Sequence, residues 1–333
     1  MTPSATPPQV PLELMVGQLV MAGMSGITAD PDLLRRVRQG EVGGIVLFAG
    51  NVSPALPEVL AGLQAEARAG GNPPLLISVD QEGGLASRLP GPPAPPRSIA
   101  SPAEAFRQGQ ATATFLEGYH INVDLAPVAD VDQAESGFEV RQGRGYAGNA
   151  ARVAGMANAF TQGLQRQGVA ATAKHFPGIG SLKLTTDAGV GRVSAPARQL
   201  EIELQPFEAV IDEGVDLVML ANAVYEAWDP GAPAVFSPSI VQDLLRRRFG
   251  YDGVVITDDL ALPPIAGSDV GARAVLAVQA GADAALYSPV EAGPVARQAL
   301  LVAAQSGALP HTRVEEAYQR VTRLKARLAG PAA

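Results

Sequence analysis

The sequence predicts an α/β fold, a single-domain (β/α)8 barrel of the TIM type, because short apolar runs alternate with longer amphipathic stretches from about residue 12 onward. Several runs are continuously apolar and β-branched, as parallel strands buried on both faces should be. Eight such runs are interpreted as strands: Gly17–Gly23, Gly44–Phe48, Leu75–Asp80, Asn122–Val128, Ala170–His175, Leu217–Ala221, Gly253–Thr257 and Ala284–Tyr287.

Helical spacing follows most of these runs, which gives repeated strand-then-helix units of about 35–40 residues. Four examples are Pro54–Ala69, Ala150–Gln167, Pro238–Phe249 and Val290–Ser306. Ser237 before Pro238 is a typical helix start, an N-cap followed by proline in the first turn. A doubly wound open sheet is the alternative, but no G-x-G-x-x-G turn follows the first strand.

The domain organisation is predicted from length and composition. With 333 residues, 47% of them apolar, the chain can bury a large core. At a usual length of roughly 150 residues per domain, the chain would form two domains, but a single α/β-barrel domain is often longer than that. We predict a flexible N-terminus over residues 1–11 and one barrel domain over residues 12–330, and we interpret the proline cluster Gly91–Pro96 as a stiff loop.

Charge and residue counts exclude several functional classes. The net charge is −8 and no basic stripe is visible, which disfavours nucleic-acid binding. The absence of cysteine excludes disulfides and thiolate metal sites. No apolar run approaches the roughly 18 residues of a membrane span, and no basic start precedes an apolar stretch. We therefore expect a cytoplasmic protein with neither a membrane nor an obligate protein partner.

Polar side chains gather at the carboxyl ends of the predicted strands, where barrel enzymes carry their catalytic groups. Strands three to seven contribute Asp80, Asp130 with Arg144 in the loop beyond, the pair Lys174 and His175, Asn222, and Asp258. Acids, amides and long cations together suit a neutral polyhydroxylated ligand. Any one of these acids or amides could instead cap the helix that follows, but five clusters at one face favour a site.

Four segments resemble motifs of the family 3 glycoside hydrolases, in the same order and with similar spacing between about residues 12 and 328. Asp80–Gly84 with Arg88 resembles D-Q-E-G-G-x-x-x-R, and Lys174–Gly180 resembles K-H-F-P-G-H-G. Gly253–Leu260 resembles G-V-V-x-S-D-D-L, and Asn122–Val131 resembles N-x-N-x-A-P-V-x-D-V. The single-domain length is most similar to the bacterial β-N-acetylhexosaminidase branch, which cleaves N-acetylglucosamine from peptidoglycan fragments.

The resemblance implies a retaining mechanism through a covalent glycosyl-enzyme, with Asp258 as the nucleophile. It implies no cofactor or metal, and a single strand-end histidine is weak evidence for one. Asp259 is expected to cap the next helix or to orient the cations. The positions implied or expected to bind the sugar are Asp80, Arg88, Arg144, Lys174, His175 and Asn222, the last standing where relatives usually carry His.

One loop departs from the family pattern. After the fifth strand, relatives carry D-S-H, in which the His is the general acid/base, but here Thr185 and Asp187 occupy the Asp and His positions. Ile179 also replaces the His of the preceding motif. Three interpretations remain open. Asp187 is the acid, with a raised pKa; another carboxylate such as Glu82 or Glu226 serves; or the acid is lost.

The expected function is hydrolysis of β-linked sugars, most typically β-N-acetylhexosaminides, with a small carbohydrate as the partner. The alternative is a catalytically impaired sugar-binding or regulatory barrel that lacks a general acid/base. A further alternative is an aldolase with Lys174 as a Schiff base, which the neighbouring motifs disfavour.

Overall fold

The computed structural model describes residues 10–132, 142–182, 186, 190–262 and 269–330. Eight parallel strands in these ranges form the barrel. They are β1 (Val20–Gly23), β2 (Gly44–Leu47), β3 (Leu76–Val79), β4 (Val123–Asp124), β5 (Ala170–Phe176), β7 (Leu217–Leu220), β10 (Val254–Thr257) and β11 (Ala285–Tyr287).

The helices of the described residues surround this barrel. They are α1 (Leu12–Gln18), α2 (Pro31–Arg38), α3 (Leu56–Ala69), α4 (Pro102–Glu117), α5 (Ala150–Arg166), α6 (Ala197–Asp212), α7 (Val270–Ala280), α8 (Ala292–Gln305) and α9 (His311–Leu328). A π-helix spans Ser239–Arg248 before β10. None of the described helices is both long enough and apolar enough to span a bilayer.

The strands pair in chain order, and the first and last pair with each other through β1 and β11. A parallel bridge between Ile256 and Ala284 joins β10 to the chain before β11, and the Thr257 N–H donates to the Ala284 carbonyl at 3.2 Å. This closure confirms the predicted barrel and excludes the open doubly wound sheet, because a doubly wound sheet keeps two free edges.

All eight predicted strands are present, with ends that differ by at most one residue from those predicted, except in the first and fourth strands, where the differences are larger. Gly17 and Gln18 belong to α1, so the first strand begins at Val20. The fourth strand has only two residues, and the Asn122 side chain before it accepts from the Ile77 N–H at 2.8 Å. Pro127 further along has no N–H to donate.

The four predicted helices are also present, with ends shifted by one or two residues. The segment after Ser237 is a π-helix, although its start is as expected: the Ser237 hydroxyl accepts from the Ile240 N–H at 3.3 Å. A small second sheet was not predicted. It contains β6 (Gly191–Val193), β8 (Ala223–Tyr225) and β9 (Asp229–Pro233), of which β8 and β9 come shortly after β7.

The barrel interior is apolar and is closed at its amino-terminal end by α9. Val321 and Leu324 of that helix pack with the interior side chains Met21, Val46, Leu76, Val123, Leu125, Ala170, Leu217, Met219, Val254, Ile256, Ala284 and Leu286. The polar strand ends lie at the opposite end of the barrel.

Candidate active site

A cavity of about 440 Å³ opens at the carboxyl ends of the strands. Its volume lies in the range of sites that hold small ligands. Six residues predicted from the sequence line it together: Asp80, Arg88, Arg144, Lys174, His175 and Asp258. The tertiary structure therefore gathers residues separated by up to 178 positions (from Asp80 to Asp258) into one wall.

Asp80 stands at the end of β3 between two cations. Its Oδ1 lies 2.6 Å from Lys174 Nζ and its Oδ2 lies 2.8 Å from Arg88 Nη2. Burial alone would raise the pKa of Asp80, but the charges of Lys174 and Arg88 outweigh it and hold that pKa well below its usual range. Asp80 is consequently a fixed anion that can accept hydrogen bonds from sugar hydroxyls.

Glu82 lies behind the cavity wall and connects two of its cations. Its Oε2 accepts from Arg144 Nε at 2.8 Å, and its Oε1 lies 2.6 Å from Lys174 Nζ. Burial opposes ionisation of Glu82, but Lys174 and Arg144 outweigh it and lower its pKa. A carboxylate held ionised in this way is a poor proton donor, so the contacts of Glu82 disfavour its interpretation as the general acid.

Lys174 is buried, with 2% of its surface exposed, and its ammonium group contacts Asp80 and Glu82 at once. Burial would lower its pKa, but these two carboxylates outweigh that effect and raise it. A Schiff base requires a neutral amine, whereas this lysine is held charged. The aldolase alternative is therefore disfavoured by the geometry.

His175 is oriented by a buried carboxylate. Its Nδ1 lies 2.9 Å from Asp130 Oδ2, and Asp130 also accepts the N–H groups of His175 and of Ile179, the latter at 2.9 Å. In the neutral imidazole with Nδ1 protonated, Nε2 is the acceptor of the ring. Asp130 thus fixes both the ring and the backbone turn that follows it.

Asp258 follows β10 directly. Its N–H donates to the Leu220 carbonyl at 3.0 Å, and its Oδ1 accepts from the Asp259 N–H at 2.7 Å. These bonds to adjacent backbone fix the carboxylate at the strand end, in the same cavity as Arg144 and Lys174.

Asp259 forms hydrogen bonds to the backbone at two strand ends. Its Oδ1 accepts from the N–H groups of Ala261 and Ser288 at 2.9 and 3.1 Å, and so joins the turn after β10 to the end of β11. The next described helix, α7, is capped by Asp269 instead. Asp259 also lines the cavity.

Asn222, predicted to bind the ligand, is not brought into the cavity wall. It is fully buried at the end of β7, and its Nδ2 donates to the Asp259 carbonyl at 3.0 Å. The side chain therefore supports the turn that carries Asp258 and Asp259. The strand-end position was predictable, but the direction of this side chain depends on packing between β7 and β10.

The loop after β5 is only partly described. Asp187 and Thr185 lie outside the described residues, whereas Thr186 between them is buried and lines the cavity. Glu226, the other alternative acid, pairs with Arg192 at 3.2 Å on the exposed side of the small sheet and is absent from the cavity lining that is described. Its position disfavours a role in proton transfer.

Several cavity residues were not found from the sequence. The polar ones are Gln142, Thr186, Asp259 and Ser288, and the apolar ones are Val46, Phe48, Leu85, Ala86, Leu125, Met219, Leu262 and Leu286. No residue-level signal distinguishes such apolar wall positions from core positions, since both have the same composition. In the described ranges, no three His, Asp or Glu side chains are grouped so that they could hold a metal ion.

The chain is similar to proteins of other organisms over most of its length. The family model described as the glycosyl hydrolase family 3 N-terminal domain matches residues 11–324. A protein named as an uncharacterized secreted glycosyl hydrolase, from Arthroderma benhamiae, is 34% identical over 335 residues, covering 96% of this chain and 95% of its own. A β-hexosaminidase from Methylobacillus flagellatus is 34% identical over 284 residues, covering 80% and 79%.

Two solved structures are similar over nearly the whole chain. A family 3 β-N-acetylglucosaminidase from Paenibacillus sp. str. FPU-7 has a TM-score of 0.93 and 36% identity, covering 98% of this chain. This chain spans 64% of the Paenibacillus chain, just under two thirds. A β-N-acetylhexosaminidase from Beutenbergia cavernae has a TM-score of 0.87 and 34% identity, covering 95% of this chain and 99% of its own.

Proposed function

The chain belongs to glycosyl hydrolase family 3, and from this premise we propose that it is a retaining glycosidase acting on β-linked N-acetylhexosaminides. One observation carries the proposal: Asp258 shares a single cavity with the cation-held Asp80 and with Lys174. The names of the related β-hexosaminidases and β-N-acetylglucosaminidases support the substrate class.

Sugar binding follows from the paired charges. Asp80 accepts hydrogen bonds from hydroxyls, while Arg88 and Arg144 donate them. Because Arg88 already pairs with Asp80, and Arg144 with Glu82, the positions of these groups are set before the sugar arrives, and little ordering is needed on binding. His175, fixed by Asp130, adds a further oriented contact.

The proposed chemistry has two steps. In the first, a carboxylate oxygen of Asp258 forms a bond to C1 of the sugar as the glycosidic C1–O bond breaks, and the departing oxygen takes a proton from a general acid. In the second, water attacks C1, gives one proton back to that group and releases the Asp258 carboxylate. Only water is required as a second reactant.

We assign the acid to Asp187. The adjacent residue Thr186 lines the cavity, and the positions of Glu82 and Glu226 disfavour the other carboxylates considered. Asp187→Ala is expected to slow natural β-N-acetylglucosaminides far more than an activated aryl glycoside, which needs little protonation of its leaving group. Equal losses on both substrates would remove Asp187 from this role.

A second candidate function is sugar binding without turnover, favoured by the departure of Thr185 and Asp187 from the family pattern. Incubation with natural and activated β-N-acetylglucosaminides separates the two. Turnover of both substrates supports a working acid, and a glycosyl-enzyme that accumulates with the activated substrate alone indicates that the acid is missing. Binding without either reaction supports the binding protein.

The biological setting is a separate proposal: recycling of peptidoglycan fragments in the cytoplasm, suggested by resemblance to the bacterial enzymes. Fractionation of the producing cells tests the location, and growth on labelled cell-wall fragments tests the substrate source. The name of the Arthroderma relative includes the word secreted, so recovery of this protein outside the cells would overturn the cytoplasmic assignment.

A further inference from the structure

We propose that three apolar side chains of the cavity, Phe48, Leu85 and Leu262, form a subsite for a leaving group that presents an apolar face. We call these residues the apolar rim. The inference rests on the proposed glycosidase function and extends it to the part of the substrate that departs. Two kinds of leaving group share such an apolar face: an aryl group, and a second sugar ring through its C–H face.

Leu85 carries the argument because of its exposure. It is 76% exposed, more than any other large exposed apolar residue of the described ranges; the others are Ile27, Ile202, Leu276, Val295 and Val302, at 41–52%. Of this set, Leu85 alone lines the described part of the cavity. When a ligand covers an apolar side chain that is exposed to water at the entrance of a polar cavity, the free energy of the complex is lowered.

Hydrogen bonds and two glycines fix the conformation of the loop that carries Leu85, so the position of this residue is fixed as well. Gly83 and Gly84 have φ angles of 92° and 65°, which favour glycine, and the turn continues through Ala86. Three donations from backbone N–H groups close the loop: Glu82 to Ala86 O at 3.0 Å, Gly83 to Ser87 Oγ at 3.0 Å, and Arg88 to Asp80 O at 3.1 Å.

The ends of this loop are themselves sugar-binding positions. Asp80 precedes it and Arg88 follows it, and the two are joined by their salt bridge. Leu85 is therefore held at a fixed position relative to the groups that bind the glycone. A contact from such a preorganised side chain costs little conformational entropy.

The direction of the substrate places its leaving group at the rim. The glycone must reach the buried end of the cavity, where Lys174 is 2% exposed. The rest of the substrate then extends toward the open end, where Leu85 is exposed and Phe48 and Leu262 are partly exposed. The Arg88 guanidinium lies 5.9 Å from the centre of the Phe48 ring, which connects the rim to the charged interior.

The test compares Leu85→Ala with the wild-type protein on β-N-acetylglucosaminides that differ only in the leaving group: azide, 4-nitrophenol and a second N-acetylglucosamine. We expect kcat/KM to fall about fivefold, equivalent to about 1 kcal/mol, where the leaving group reaches the rim, and to stay unchanged for the azide. A loss on the aryl substrate alone assigns the rim to aryl groups, and a loss on the disaccharide alone assigns it to sugar rings.

Val302→Ala, which shortens an apolar residue that is 51% exposed and outside the cavity lining, is the matched control. Equal losses on all three substrates, or no loss on any, would overturn the subsite. A change of oligomeric state in Leu85→Ala would do the same, because the rim would then cover a second copy of the chain.

Binding measurements keep the two proposals distinguishable. If the wild-type protein turns over none of the substrates, the glycosidase proposal fails, and the Kd values of N-acetylglucosamine and its β-linked disaccharide then test the rim directly. A disaccharide preference that disappears in Leu85→Ala upholds the subsite, whereas an unchanged preference overturns it.

Discussion

At the scale of single residues, Lys174 connects two carboxylates, Asp80 in the cavity and Glu82 behind its wall. Its Nζ lies 2.6 Å from both Asp80 and Glu82, and Glu82 in turn holds Arg144. A charge of this kind is costly to bury alone, and so is each carboxylate without it. The cluster is therefore one unit, in which a residue outside the cavity wall, Glu82, sets the position of residues inside it.

Glu82→Gln tests this positioning role. The amide cannot pair with two cations, so Arg144 and Lys174 should shift, and we expect kcat/KM to fall by about tenfold or more. Because the acid is assigned to Asp187 and not to Glu82, kcat/KM should fall by the same factor for natural and activated substrates. The ratio of the two kcat/KM values should therefore stay unchanged. A selective loss on the natural substrate would return Glu82 to the list of candidate acids.

Asp258→Asn tests the nucleophile. A neutral amide cannot attack C1, so the covalent glycosyl-enzyme formed with an activated substrate should disappear, as measured by mass spectrometry of the intact protein. Glu226→Gln is the matched control, since Glu226 lies on the exposed side of the small sheet and should leave both labelling and turnover unchanged. Labelling that survives in Asp258→Asn would place the nucleophile elsewhere.

At the scale of elements, α6 places a buried carboxyl group, that of Glu203, next to the turn that follows β5. A Cβ added to Gly178 would lie 2.7 Å from Glu203 Oε2, so the turn can approach only because glycine stands there. Burial, followed by the charge of Asp130, raises the pKa of Glu203 to about 8, with partial offsets from the Ser181 hydroxyl and the Gly180 N–H. Glu203 is therefore mainly protonated at pH 7.

This protonation makes stability depend on pH. The folded pKa of Glu203, about 8, lies above the unfolded value of 4.5, so its contribution is fully present below pH 4.5 and is lost as the pH rises through 8. In urea unfolding, the free energy of unfolding of the wild-type protein should fall relative to that of Glu203→Gln by on the order of 2–3 kcal/mol between pH 5 and 8. Parallel curves for the two proteins would show that Glu203 is already ionised when folded.

At the scale of the whole molecule, α9 closes the barrel and joins the two ends of the described chain. Its Lys325 is buried, and Nζ donates to Gln18 Oε1 at 2.5 Å and to the Gly43 carbonyl at 2.7 Å, next to the starts of β1 and β2. Burial lowers the pKa of Lys325 to about 7. The last helix therefore fixes the first strands through a group that titrates near neutral pH.

Lys325 makes stability change with pH in the opposite direction to Glu203. The folded pKa of Lys325 lies below its unfolded value of 10.5, so the folded state binds fewer protons between the two, and stability rises with pH from about 7 to 10. The difference in unfolding free energy between the wild-type protein and Lys325→Met should grow by on the order of 2–4 kcal/mol over that range. A difference that stays constant with pH would mean that Lys325 remains charged inside the fold.

Local patterns in the sequence were sufficient for the barrel and for most of its catalytic face. Apolar runs specify buried strands, and the carboxyl ends of parallel strands meet at one mouth, so Asp80, Lys174, His175 and Asp258 could be predicted to lie together. The positions of strand ends follow from hydrophobic periodicity, which is a local property of the chain.

Contacts between elements could not be predicted in this way. The pairing of Glu82 with Arg144 spans 62 positions, the orientation of Asn222 away from the cavity depends on the packing of β7 against β10, and the exposure of Leu85 depends on the turn at Gly83. These features arise when closure of the barrel fixes strand register and distance, and that closure is a property of the whole fold. The sequence by itself determined which residues stand at the mouth, and only the tertiary structure decided which of them line the cavity and which hold the others in place.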